Sequence, residues 1–258
     1  MQSAPEPFGQ FRNVRQCFRR PNQSDLVAID DISFDLEAGT LVSLLGPSGC
    51  GKTTFLRIVG GLIRATSGTV RINGADVVEP HVDFGMAFQQ PNLMPWRTVL
   101  KNVLFPMELC HETGPEVKQR AIDLLELVGL QGFEHSYPAQ LSGGMQQRVA
   151  LCRALIHKPN LLLMDEPFGA LDELTRMEMQ DLLLDIRAKT NATIMFVTHS
   201  ISEAVYLSDT VVIFSKRPAA VADYLQVSLS YPRIAEIRYT AEFTDLEHRA
   251  SRALGITR

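Results

Sequence analysis

The sequence predicts an α/β fold, with buried strands, a glycine-rich loop at one strand end and an inserted helical subdomain. Three observations carry this. The stretch Gly46-Pro47-Ser48-Gly49-Cys50-Gly51-Lys52-Thr53 stands between the apolar run Leu41-Val42-Ser43-Leu44-Leu45 and a helical start at Thr54-Phe55-Leu56-Arg57-Ile58-Val59. A second apolar run, Leu161-Leu162-Leu163-Met164, ends in Asp165-Glu166. Between them, over 98–157, apolar residues recur at helical rather than strand spacing.

Taken in order, residues 1–10 carry two prolines and little hydrophobicity and read as a mobile leader. A short edge strand is expected over 11–18, then a turn over 19–24. Ile32-Ser33-Phe34-Asp35-Leu36 alternates apolar and polar, as a half-buried strand does, and Glu37-Ala38-Gly39 turns the chain into the buried strand. Ser67-Gly68-Thr69-Val70-Arg71-Ile72 reads as a strand ending in an Asn73-Gly74 turn. Phe84-Gly85-Met86-Ala87-Phe88 is a further strand, broken by Gln89-Gln90-Pro91. Helical patterns follow around Val99, Val103 and Leu104, then over 117–127 and 145–156, with turn residues over 129–138. After the 161–166 strand, a helix is expected over 172–189 and a strand over 193–197 that ends in Thr198-His199. A short helix and a strand over 210–214 complete the core. Beyond Pro218 the pattern weakens to one strand, a loop around Tyr231-Pro232-Arg233 and a helix over 242–254. The expected organisation is a leader over 1–10, a domain over 11–218 with its helical subdomain at about 90–160, and a short C-terminal extension over 219–258.

Composition narrows the classes. A chain of 258 residues has ample length for a core. Its net charge of −4 leaves no electrostatic footprint for nucleic acid, which is not an expected partner. No apolar run approaches the ~18 residues of a membrane span, and the first residues lack the basic-then-apolar pattern of a signal peptide. Cys17, Cys50, Cys110 and Cys152 have neither metal nor disulfide spacing, so a reducing cytoplasm is the expected compartment. Cys50, inside the glycine-rich loop, reads as a small filler.

The loop's glycines let backbone N–H groups turn inward, and the helix N-terminus adds a favourable dipole for anions. Lys52 supplies charge for the outer phosphates, and the Thr53 hydroxyl can ligate Mg²⁺. A strand ending in two acids delivers them to the edge where open α/β sheets bind ligands. Alone such a pair is an ordinary helix cap or solvated loop. Behind a phosphate loop, the first acid suits a Mg²⁺ shell and the second can orient and deprotonate a water. In Leu141-Ser142-Gly143-Gly144-Met145-Gln146-Gln147-Arg148 a second glycine-rich helix start appears. A serine cap explains Ser142 but not two successive glycines. Two anion sites in one chain suggest that the second serves a nucleotide bound mainly elsewhere.

In that order, the phosphate loop, Ser142 to Gly144 with Gln146-Gln147-Arg148, Asp165-Glu166, Ala170-Leu171-Asp172 and His199 resemble the ATP-binding cassette subunits of ABC transporters, over roughly residues 11–215. The resemblance implies a P-loop NTPase (RecA-like) core with an antiparallel β-subdomain and an inserted α-helical subdomain. It implies ATP and Mg²⁺, and a head-to-tail homodimer with two ATP molecules between the copies. Gly46, Pro47, Ser48, Gly49, Cys50, Gly51, Lys52, Thr53 and Thr54 of one copy would hold each ATP. Ser142, Gly143, Gly144 and Asp172 of the other would meet it. By the same resemblance Thr53, Gln89 and Asp165 serve Mg²⁺, Glu166 is the general base, Gln89 also contacts the water, and His199 contacts the γ-phosphate. Phe18 stands where the family places an adenine-stacking aromatic, although Phe11 or Phe18 can equally be core. Met145 departs from the glutamine that many relatives carry there.

The stretch from Gln89 through Met94-Pro95-Trp96 to Val99, the 141–148 segment with Met145, and Glu166-Pro167-Phe168-Gly169-Ala170-Leu171-Asp172 look like the nitrate/sulfonate/taurine importer branch. About forty residues follow the last core strand, too few for the regulatory β-domain of sugar-importer ATPases. The branch implies permease subunits as partners, a substrate-binding protein as an indirect one, and a peripheral place on the cytoplasmic face of the membrane. Met94 and Trp96 either grip the permease or pack internally. A soluble cassette ATPase without a membrane partner is the second reading, and a non-catalytic nucleotide-binding scaffold, opposed by Glu166 and His199, the third.

Overall fold

The computed structural model describes residues 6–21, 24–80 and 84–256. The first half of the expected leader and part of the expected 19–24 turn lie outside the described residues. In chain order the strands and helices begin with β1 (Gly9–Phe18), β2 (Leu26–Leu36), β3 (Leu41–Leu45), α1 (Lys52–Val59), β4 (Ser67–Ile72), β5 (Ala75–Asp76) and β6 (Phe84–Phe88). Next come α2 (Val99–Leu109), α3 (Pro115–Leu127), α4 (Gly143–Leu155), β7 (Leu161–Asp165) and α5 (Glu173–Thr190). The chain closes with β8 (Thr193–Thr198), α6 (Ile201–Leu207), β9 (Thr210–Phe214), β10 (Ala219–Gln226) and α7 (Ala241–Ala253). These divide into two compact units, residues 1–81 with 191–258, and residues 82–190.

In the first unit the strand order is β5-β4-β1-β2-β10-β9-β3-β8. β3 runs parallel to both β8 and β9. All residues of β3 and β8 are buried, which is why they read as continuous apolar runs. The β4–β5 hairpin turns at Asn73-Gly74 with φ of 49° and 77°, the left-handed pair that a two-residue turn of this kind requires.

One expectation is corrected here. β1 is not an edge strand, because it pairs antiparallel with β2 on one side and β4 on the other. Its arginines form cross-strand ion pairs, Arg12–Asp35 at 2.6 Å and Arg15–Asp30 at 3.4 Å. β1 also starts at Gly9, inside the stretch read as a leader. The boundary expected at residue 218 falls within the sheet, since β10 pairs with β9 and, through Ala219 and Ala220, with β2.

α1 buries Phe55, Leu56, Ile58 and Val59. The Phe55 ring lies 5.2 Å from Phe11, 5.6 Å from Phe34 and 5.9 Å from Phe214, so the helix behind the glycine loop is keyed to three strands. Truncating such a ring to alanine costs about 3–5 kcal/mol. α7 packs on α6 and β10 through Phe243, Leu246 and Ala250.

The second unit holds β6 and β7 as a parallel pair, with α2, α3 and α4 between them in sequence and α5 after. A Cβ on Gly85 would stand 2.2 Å from the Ala154 carbonyl oxygen, so only glycine lets α4 lie this close to β6. The Arg153 guanidinium donates to the carbonyls of Asn92 (2.8 Å) and Pro91 (2.7 Å). Asn102, fully buried, donates to the carbonyls of Met94, Arg97 and Thr98 and accepts from the Met94 N–H. That network sets the 94–98 loop, on which Trp96 is 75% exposed. Internal packing is therefore not the role of Trp96. Met94 is half-buried. Among the described residues, no helix is long and apolar enough to cross a membrane.

Candidate active site

In the first unit, register brings two site segments together. Leu45 pairs with Thr198, so the glycine loop and His199 leave neighbouring strand ends. The loop needs its glycines for identifiable reasons. Gly49 has φ 72° and Gly51 φ 133°, both unfavourable for other residues, and a Cβ on Gly46 would press within 3.1 Å of the Phe214 carbonyl oxygen. The Cys50 N–H donates to the Pro47 carbonyl at 3.3 Å, closing the curl. Lys52 is 4% exposed, with its ammonium donating to the Gly46 (2.7 Å) and Pro47 (3.1 Å) carbonyls. α1 starts at Gly51 without a side-chain cap. A curled loop, an ammonium folded over it and an uncapped helix start together fit a polyphosphate. Thr53 and Thr54, half-buried, open that helix.

Burial raises the Cys50 thiol pKa, against the opposing pull of Lys52 and Arg217, so the thiol stays protonated as a filler would. Phe11, fully buried against Phe34 at 4.6 Å, is a core ring. Phe18, at the end of β1, is 37% exposed.

His199 itself is exposed, but its neighbours are fixed. The Thr198 hydroxyl donates to the Glu203 carboxylate and accepts from the Ser200 N–H at 3.0 Å. The Ser200 hydroxyl accepts from the Glu203 N–H at 3.3 Å, capping α6. Sequence reading passed over Ser200-Ile201-Ser202-Glu203, whose S-x-x-E spacing was the available signal for this buried brace.

In the second unit the same logic recurs. Phe88 pairs with Asp165, so Gln89 and Glu166 leave neighbouring strand ends. Glu166 sits at φ 46°, an uncommon conformation for a non-glycine residue and one that clusters at functional sites. Its carbonyl accepts from the Gly169 N–H at 3.1 Å, and a Cβ on Gly169 would reach 3.4 Å from the Gln89 side-chain nitrogen. The turn after β7 is thus folded toward Gln89. Gln147, 3% exposed, donates to the Phe88 carbonyl at 2.9 Å and fixes the backbone just before Gln89. The sequence marks Gln147 as part of the 141–148 segment but carries no signal for this contact 59 residues away.

Ser142 caps α4 by accepting from the Met145 N–H at 3.3 Å. Gly143 is exposed, and a Cβ there would meet nothing within 4 Å, whereas at Gly144 it would stand 2.5 Å from Thr175 Cγ2. Asp172 accepts from the Thr175 N–H (3.0 Å) and hydroxyl (2.7 Å), which hold its carboxyl below the usual carboxylate range. Thr53 offers a hydroxyl in the first unit, and Gln89 and Asp165 offer an amide and a carboxylate in the second, oxygen donors of the kind that suit Mg²⁺.

A family model described as ABC transporter matches residues 29–169. The chain belongs to the ABC transporter family. Curated relatives of this ABC protein include an uncharacterized ABC transporter ATP-binding protein of Methanocaldococcus jannaschii, 49% identical over 82% of this chain and 79% of its own length. The taurine import ATP-binding protein TauB of Pelagibacter ubique is 45% identical over 81% and 79%. The aliphatic sulfonates import ATP-binding protein SsuB of Bacillus subtilis is 43% identical over 86% and 84%. Among solved structures, a dimeric bacterial ABC transporter cassette is similar with a TM-score of 0.74 at 31% identity, covering 86% of this chain and all of that one. The same cassette is similar in a post-hydrolysis state bound to ADP and phosphate, with a TM-score of 0.73 at 30% identity over the same shares. This ABC protein is an ATPase working on ATP with Mg²⁺, and its fold is that of the P-loop NTPase cassettes.

Proposed function

We propose that the chain is the energy-coupling subunit of an importer for a small sulfonated solute such as taurine or an alkanesulfonate. It works as a head-to-tail dimer on membrane-embedded permease subunits at the cytoplasmic face, fed by a substrate-binding protein. The pairing of strand ends, Leu45 with Thr198 and Phe88 with Asp165, is the observation that carries the catalytic part. Lys52 and the inward N–H groups of the Gly46 to Thr53 loop hold the β- and γ-phosphates, with Thr54 next along the helix start and Phe18 against the adenine. Thr53, Gln89 and Asp165 serve the Mg²⁺ shell. Bound Mg²⁺ neutralises charge developing on the phosphate oxygens. Glu166 takes the proton of the attacking water, Gln89 orients that water, and His199 donates to the γ-phosphate.

Ser142, Gly143, Gly144 and Asp172 meet the ATP held by the other copy. The open space at Gly143 supports this, since among the described residues nothing would stand within 4 Å of a Cβ there. Trp96, held out by the Asn102 network, supports a permease contact, because an exposed indole on a preset loop is a typical binding anchor. The importer role and solute class are supported by the taurine and sulfonate relatives.

Phosphate release and gel filtration at saturating MgATP, for wild type beside Glu166→Gln, test the mechanism. The variant is expected to lose at least about a hundredfold in turnover and to elute as an ATP-locked dimer. Wild-type turnover from a monomeric Glu166→Gln would overturn it. Co-sedimentation with membranes that contain the permease tests the transport role. Recovery from the supernatant alone would favour a soluble cassette ATPase.

A further inference from the structure

The stretch 214–219, between β9 and β10, lies along the glycine loop, and the two run in register. Gly46 faces Phe214, where a Cβ would come within 3.1 Å of both its Cβ and its carbonyl oxygen. The Gly49 carbonyl accepts from Arg217 through Nη2 at 2.6 Å and Nε at 3.1 Å. Gly51 faces Ala219, 3.3 Å from where a Cβ would stand. Three loop glycines thus meet three residues of one turn in the same order. The turn is itself closed. The Ser215 N–H donates to the Ala220 carbonyl at 2.9 Å, and the Ala220 N–H donates to the Ser215 hydroxyl at 3.0 Å.

We infer that Arg217 is a positioning residue for ATP binding, which fixes the Gly49–Cys50 peptide from its carbonyl side while the Pro47 carbonyl holds the Cys50 N–H on the loop side. A trans peptide is planar, with its carbonyl and N–H pointing opposite ways. A guanidinium that holds the Gly49 carbonyl from outside therefore sets the direction of the Cys50 N–H on the other side. The two-point grip on one oxygen needs the planar fork of arginine, which a lysine ammonium does not reproduce. The guanidinium also places a fixed positive charge behind an anion site. This assignment rests on Gly46 to Thr53 being the phosphate loop, so Lys52→Ala accompanies the test.

ATPase kinetics, MgATP titration and thermal melting with and without MgATP are compared for wild type, Arg217→Ala, Arg217→Lys and Lys52→Ala. Arg217→Ala is expected to raise both KM and Kd for ATP by about tenfold, with kcat changed less than about threefold. Arg217→Lys should recover only part of the affinity. Without nucleotide the melting midpoint of Arg217→Ala should stay at the wild-type value, and the rise produced by MgATP should shrink. Unchanged KM and Kd in Arg217→Ala, beside an inactive Lys52→Ala, overturn the inference and leave the loop reading intact. A lowered midpoint without nucleotide, together with a full MgATP-induced rise, reduces Arg217 to a structural contact and also overturns it. Wild-type hydrolysis by Lys52→Ala would remove the loop reading on which the inference stands.

Discussion

The helices α1 and α4 both begin at glycine-rich turns, but their glycines answer to different neighbours. Ahead of α1, Gly49 and Gly51 are left-handed and Gly46 is pressed on Phe214, so each has a reason within the chain. The helix start is uncapped, and Lys52 bends back over the loop. At α4, Ser142 caps the helix with its own hydroxyl, Gly144 is required by Thr175, and a Cβ on Gly143 would meet nothing within 4 Å. The first turn is a finished cradle. The second is a helix start with one exposed glycine that has room for a side chain.

The largest effect that tests this contrast is at Lys52. Phosphate release by Lys52→Ala should fall by at least about a hundredfold, because the cradle loses the buried ammonium that lies over its carbonyls. Next is Gly143→Ala. With open space and no positive φ, alanine should raise stability by about 0.5–1 kcal/mol, read as a higher melting midpoint. Hydrolysis should nonetheless drop by about tenfold, because the added methyl displaces the approaching partner copy. A Gly143→Ala protein that is more stable and fully active would break the comparison.

Much of the fold was legible because it follows from burial. β3, β7 and β8 are apolar runs since both faces are covered, and Asn73-Gly74 announces its hairpin by backbone chemistry alone. β1 was expected at an edge, yet it pairs on both sides, and its Arg12 and Arg15 meet Asp35 and Asp30 across the ladder, contacts with no local pattern. β10 was faint since only its ends are well buried, and its pairing with β2 joins positions nearly two hundred residues apart. In the site, the loop and strand-end residues could be read from spacing. Arg217 could not, because its contact with Gly49 spans 168 residues and carries no local pattern.

Smaller effects sharpen the account of α4. Gly144→Ala drives a Cβ to 2.5 Å from a β-branched Thr175 whose hydroxyl is already held by Asp172, and should cost about 1–3 kcal/mol in denaturant unfolding. Adding Thr175→Ser, which removes Cγ2 but keeps the hydroxyl, should restore most of that loss. The smallest effect is at Asp172. Its folded pKa is depressed by the Thr175 N–H and hydroxyl, so its capping contribution is complete above the ordinary carboxylate range and is lost as pH falls through the folded value. The melting difference between wild type and Asp172→Ala should be constant from neutral pH to about pH 5 and close at lower pH.

α4 has a mechanical consequence. At ~1.5 Å per residue its thirteen residues make a rod of about 20 Å. One end is Ser142 and the bare Gly143. Along its length the rod is bolted to the β6 stretch, through Gln147 on the Phe88 carbonyl, the missing Cβ of Gly85 under Ala154, and Arg153 on the Pro91 and Asn92 carbonyls. These fastenings flank Gln89 on both sides. A thrust on the tip of the rod has no slack to take up before it arrives at Gln89. A helix whose tip is open to the outside is thereby geared to a strand end well inside its own unit.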